Sequence, residues 1–165
     1  MESDDFLCRD EKGNLLLAVE PIEEDALAKD PHFTHCLAVV KVGEEHLLGW
    51  NNWRKRFELF GGCREEGETP RVCILRECRE ELGFQGGEIQ YLGAMKLRLI
   101  ADYFSHEART ESGGLYGITL PAAPIAALSA GIQDRAEIAR LGFYSQVKGK
   151  EPIAEIDEKL LEFFP

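Results

Sequence analysis

The chain has 165 residues, 44% of them hydrophobic and 30% charged, which suits one soluble globular domain with a real core. Its net charge of −11 disfavours nonspecific binding to nucleic acid or to an anionic membrane, so a phosphate ligand needs metal ions and a few local cations. The acidic N-terminus lacks the basic and apolar regions of a secretion signal, and the longest weakly polar stretch, 120–130, is too short to span a bilayer; a cytoplasmic location is the expectation. The cysteines (Cys8, Cys36, Cys63, Cys73, Cys78) are odd in number and form no Cys-x-x-Cys pair. They read as reduced thiols, with Cys36 and Cys78 as small core residues.

Residues 6–8 and 15–19 flank Glu11-Lys12-Gly13-Asn14 as the arms of a hairpin, and 21–28 reads as a short acidic helix or loop. Residues 33–42 are apolar and β-branched, the pattern of a buried strand, and 47–50 resembles its partner across Gly43-Glu44-Glu45. A short strand at 57–60 ends at Gly61-Gly62. The clearest helix covers 70–82, capped by Thr69, with Pro70 at its first position and Gly83 just past its end. Strands follow over 89–100 and 115–120, and a third near 141–144. Gly86-Gly87 and Gly113-Gly114 read as turns. A last helix, 154–163, carries Ile156, Leu160 and Phe163 on one side. Strands before and after a central helix predict an α/β layered fold, one domain over 1–165 with 1–32 as an N-terminal extension.

On a helical wheel Ile74, Leu75, Cys78 and Leu82 share the core sector, and Glu77, Glu80 and Glu81 fall together on the sector beside it. Like charges at this spacing repel by a few tenths of a kcal/mol per pair. A divalent cation reverses that sign, and Mg²⁺ prefers such hard oxygen ligands together with water and phosphate oxygens. Acidic strips on helices are more often merely solvated. The surrounding pattern decides against that here: a Gly, five residues, Glu, seven residues, Arg-Glu, an apolar residue, any residue, Glu-Glu, any residue, Gly and an apolar residue. Gly62, Glu68, Arg76, Glu77, Cys78, Glu80, Glu81, Gly83 and Phe84 fill every fixed position.

Over 62–84 the sequence therefore resembles the Nudix hydrolase family. The resemblance implies an α/β/α sandwich with a mixed β-sheet and Mg²⁺- or Mn²⁺-dependent cleavage of a phosphoanhydride bond in a nucleoside diphosphate linked to another group. A nucleoside triphosphate, oxidised or not, is the first expectation. By position, Glu77, Glu80 and Glu81 are implied metal carboxylates, completed by the carbonyl of Gly62. Glu68 and Arg76 are implied to pair and fix the loop on the helix. Phe60 stands where the family often has Pro, so the loop entry is expected to differ slightly.

Outside the box, Trp53-Arg54-Lys55-Arg56 supplies three cations in an acidic chain; Arg54 and Arg56 are candidate phosphate or ribose contacts. Trp50, Trp53, Tyr103 and Tyr116 are candidates to stack on a base, Trp53 and Tyr103 foremost. Asp134 and Glu137 lie in a late loop where the resemblance implies an additional acid, serving as metal ligand or base; Glu137 is the candidate, counted as catalytic beside Glu77 and Glu80. His32, His35, His46 and His106 show no metal spacing. The expected partner is a small nucleotide, without nucleic acid or membrane, and a homodimer stays open. Two rival readings are an isomerase similar to the isopentenyl diphosphate enzymes, for which Cys36 is the nearby thiol, and a noncatalytic nucleotide sensor, which would normally have lost box carboxylates.

Overall fold

The computed structural model describes residues 5–100 and 107–165. In chain order the elements are β1 (Cys8–Arg9), β2 (Leu15–Glu20), α1 (Glu24–Ala28), β3 (Phe33–Val42), β4 (Glu45–Asn51), β5 (Arg56–Glu58), β6 (Phe60–Cys63), α2 (Pro70–Leu82), β7 (Ile89–Leu99), β8 (Arg109–Leu120), α3 (Ile125–Ser129), β9 (Ile138–Phe143), α4 (Tyr144–Val147) and α5 (Glu155–Leu160), with a 3₁₀ turn at Leu161–Phe163. Among the described residues one mixed sheet runs β1-β2-β7-β8-β3-β4-β5, with β6 also on β3 and β9 on β4. The β3–β8 pair is parallel and the other pairs are antiparallel.

Strand β3 shows why helices cover both faces. Alternate side chains point to opposite sides. Cys36, Ala38, Val40 and Val42 join Ile74, Cys78 and Leu82 of α2 in one core. Val39 joins Leu160, Leu161 and Met95 in a second core on the far face. A strand buried on both faces reads as an unbroken apolar run, and 36–40 does. Fully burying one such side chain is worth roughly 1.5–3 kcal/mol over leaving it exposed. The result is an α/β/α sandwich, and no helix among the described residues is long and apolar enough to cross a membrane.

Three expectations need correction. The strand expected at 57–60 is two strands. The Leu59 N–H leaves the ladder for the Asp157 carboxylate at 2.9 Å, and β6 then runs through the paired glycines to Cys63. Gly61 permits this: its φ is +137°, and a Cβ there would lie 2.1 Å from the Cys36 carbonyl oxygen. Gly113-Gly114 is not a turn but the buried middle of β8, opposite His35 and Cys36. A Cβ on Gly113 would come within 2.8 Å of the His35 ring and the Met95 methyl, so these glycines make room for neighbours. The N-terminal hairpin is built into the sheet rather than appended, since β2 pairs along β7 and Leu16 is fully buried.

Candidate functional site

Helix α2 presents the acidic residues, and its ends are fixed locally. The Thr69 hydroxyl accepts from the Val72 N–H at 3.2 Å, and Gly83 closes the helix in the left-handed region with its N–H on the Arg79 carbonyl at 2.9 Å. Glu77 and Glu81 point inward, one turn apart, while the Glu80 side chain is 43% exposed. Glu81 is only 2% exposed and accepts from the Gly61 N–H at 2.9 Å. Burial pushes its carboxyl up to about 9, against that N–H and with the help of nearby Glu77 and Glu137. Burial also raises Glu77, against the pull of Arg76. Gly62 makes room for Glu77: a Cβ there would sit 2.8 Å from the Glu77 Oε1.

Arg76 ties the loop 63–69 to the helix. Its Nε and Nη2 grip Glu68 at 2.7 and 3.0 Å, Nη2 also donates to the Cys63 carbonyl at 3.0 Å, and Nη1 donates to Glu77 at 2.8 Å. Glu80 lies 3.6 Å from Nη1. The fork lowers the Glu68 carboxyl from its ordinary pKa.

Glu137 reaches the same place from another part of the chain. The carbonyl of Glu80, at the end of α2, accepts from the Gln133 and Asp134 N–H groups at 2.9 and 2.8 Å. Gly83 and Gly131 allow that docking, because a Cβ on Gly131 would lie 2.2 Å from the Leu82 oxygen. Burial, then Glu77, raises the Glu137 carboxyl. Glu77, Glu81 and Glu137 thus act on one another, with Glu80 at the outer rim.

The basic segment lines a crevice beside the box. Glu58 holds both candidate cations: Arg54 by a two-point contact at 2.7 and 2.9 Å, and Arg56 at 2.7 Å. Both line a cavity of about 220 Å³ that runs from His35 and Leu37 to Gly61, Gly62 and Cys63. A second cavity of about 140 Å³ shares His35, Leu37, Arg56 and Asp157 with it and adds Met95, Leu97 and Ile156. Asp157, whose carboxyl burial pushes up to about 7, had no signal in the sequence beyond its place in an acidic helix.

The candidate aromatics divide. Trp53 is 63% exposed at the tip of the basic segment. Trp50 packs edge-on against Phe57 and lies under the Arg140 guanidinium, and neither it nor Tyr116 lines the two cavities just described. Tyr116 is fully buried with its hydroxyl on Glu24 at 2.6 Å, so it is a core residue. Tyr103 and His106 lie outside the described residues. Cys36 is fully buried and donates to the Pro70 carbonyl; a hydrogen bond with Cys73 and burial push its thiol up. A thiol so placed argues against the isomerase reading, which needs a reactive one.

A family model described as the NUDIX domain matches residues 32–112. The chain belongs to the Nudix family. Over 92 residues it is 28% identical to the NAD-capped RNA hydrolase NudC of Vibrio vulnificus, across 49% of this chain and 35% of that protein. The match thus spans about a third of that relative's length. The Bacillus subtilis pyrophosphohydrolase BsRppH superposes with a TM-score of 0.62 at 16% identity, covering 90% of this chain and 85% of that one. The Nudix domain of Shewanella oneidensis NrtR, solved with ADP ribose, gives 0.58 at 16% identity, covering 86% and 96%. At these identities the superpositions establish the fold.

The donor set of the Nudix box suits a hard divalent cation. Glu77, Glu80, Glu81 and the Gly62 carbonyl are all oxygen donors, the kind such a cation prefers over thiolate or imidazole. Glu81 is nearly sealed from solvent beside a second acid, and it accepts a hydrogen bond from a neutral backbone N–H. Burying a charge in that way is costly without a cation. Among the described residues, no three His, Cys, Asp or Glu side chains already converge as a ligand set. Glu77 is turned to Arg76 and Glu81 to Gly61.

Proposed function

We propose that this chain hydrolyses a phosphoanhydride bond in a nucleoside diphosphate linked to another group, and that it needs Mg²⁺ or Mn²⁺ to do so. The observation that carries this reading is the buried Glu77–Glu81 pair of a complete Nudix box, packed behind Gly61 and Gly62, which share the wall of a crevice with Arg54 and Arg56. Glu77, Glu80, Glu81 and the Gly62 carbonyl would hold the metal. When bound, it would polarise the phosphoryl group and lower the pKa of a coordinated water. Arg54 and Arg56 orient the phosphates, already aimed by Glu58. Glu137 takes the proton from the attacking water; burial raises its carboxyl above the ordinary range, which makes it a better proton acceptor. Arg76 and Glu68 keep the loop closed on the helix.

The relatives support the chemical class. One is named for NAD-capped RNA, one is a pyrophosphohydrolase, and one was solved with ADP ribose. A nucleoside triphosphate, oxidised or not, giving a monophosphate and pyrophosphate, remains the first substrate to test. An NAD-capped RNA belongs beside it. The net charge disfavours nonspecific RNA binding but not recognition of a single nucleotide at an RNA end. A panel of triphosphates, oxidised triphosphates, ADP ribose, dinucleotides and capped RNA, with Mg²⁺ and Mn²⁺ and products resolved, is expected to show cleavage between phosphorus atoms for at least one class. Release of phosphate from monoesters alone would overturn the reading.

A further inference from the structure

Asn51 ends β4 at a register shift in the β4–β9 pairing, a type of irregularity that re-aims a side chain. It is a polar residue only 1% exposed, and its amide is used on both sides. The oxygen accepts from the Trp53 and Arg54 N–H groups at 3.0 and 2.9 Å. Two backbone donors fix the oxygen on that side, which leaves the NH₂ for Glu137, whose Oε2 accepts from it at 3.2 Å. Next along the chain, the Asn52 N–H donates to the Glu137 carbonyl at 2.7 Å. Arg54 extends from the same turn to Glu58, and its Nη2 lies 3.9 Å from Glu137.

We infer that Asn51 is a positioning residue: one buried amide sets the arginine turn with its oxygen and the acid Glu137 with its nitrogen, so that phosphate contact and proton acceptor are placed as a unit. The inference rests on the hydrolase reading and on Glu137 being its base. A carboxylate with rotamer freedom loses orientation unless a neighbour holds it, and small misplacements in an active site are costly. No other side chain among the described residues donates to the Glu137 carboxylate at hydrogen-bond distance; its nearest cation, Arg54, is occupied by Glu58.

Asn51→Asp separates the two halves of this role. It keeps an oxygen for Trp53 and Arg54 and replaces the NH₂ facing Glu137 with a second oxygen. On a confirmed substrate it is expected to lower kcat about tenfold or more while KM changes less than about threefold. Glu137→Gln should lower kcat at least as much. In the double variant Asn51→Asp/Glu137→Gln the hydrogen bond is re-formed with donor and acceptor exchanged. The thermal midpoint should then return toward that of the native chain, while kcat stays within about twofold of Glu137→Gln alone. Wild-type kcat in Asn51→Asp, or losses that multiply in the double variant, would overturn the inference. If Glu137→Gln alone kept native activity, the base assignment, and this inference with it, would fall while the metal carboxylates stood. A native chain with no phosphoanhydride cleavage would instead remove the hydrolase reading itself.

Discussion

Glu80→Gln is expected to lower kcat by about 10²-fold or more, the scale for losing an acid–base or metal-activating group, with little change in thermal midpoint. The two halves of that expectation have separate causes. Glu80 is the most exposed of the three box carboxylates, at 43%, and its nearest cation is Arg76 at 3.6 Å, already committed to Glu68 and Glu77. Removing its charge therefore breaks no short contact and relieves repulsion from Glu77 one turn away. Adjacent helical residues diverge by about 100°, so Glu80 cannot share the inward direction of Glu81. That leaves it free at the rim to face substrate or water. Glu77→Gln and Glu81→Gln should instead raise the Mg²⁺ concentration for half-maximal rate, because these two lie together inside. Steady-state kinetics of the three variants across a Mg²⁺ series checks this. A near-native rate for Glu80→Gln would move the decisive acid elsewhere, with Glu137 next to test.

Arg76→Ala should destabilise the fold by about 3 kcal/mol, near the lower end for breaking a buried ion pair, and reduce activity as well. The guanidinium is 14% exposed and serves Glu68, Glu77 and the Cys63 carbonyl together. Without it, Glu68 and Glu77 become uncompensated carboxylates at side-chain exposures of 11% and 12%. For a chain of this size the loss corresponds to a fall in thermal midpoint on the order of 10 °C. Arg71→Ala on the same helix is the control. Its partner is Glu24 and it is 41% exposed, so screening by water leaves a smaller effect, about 1 kcal/mol or less. Equal midpoints for Arg76→Ala and the native chain would mean that the loop does not depend on this fork.

Local features of the sequence made the helix and the box legible. Thr69, Pro70 and Gly83 mark helix ends by their own conformational preferences, and the spacing of Ile74, Cys78 and Leu82 identifies its buried side. The same period separates inward Glu81 from outward Glu80. Features set by distant chain segments were not legible. Gly113-Gly114 carries a turn signature, yet its lack of side chains serves packing against His35 and Met95. The break at Leu59 depends on Asp157, nearly a hundred positions away in the chain. Asn51 looks like an ordinary strand end until β9 brings Glu137 beside it. Arg54 and Arg56 read as cations in a turn, but Glu58, which holds both, is an unremarkable acid in the sequence.

The proposed chemistry requires the buried carboxylates to work through a divalent cation. The direct measurement is hydrolysis of a substrate identified in the panel, assayed in excess chelator and again after Mg²⁺ is restored, with the thermal midpoint followed in parallel. Since Glu77 and Glu81 are buried acids side by side, Mg²⁺ should raise the midpoint as a ligand of the folded state. Turnover should vanish with chelator and return with the metal. Undiminished phosphoanhydride cleavage in excess chelator would contradict the account.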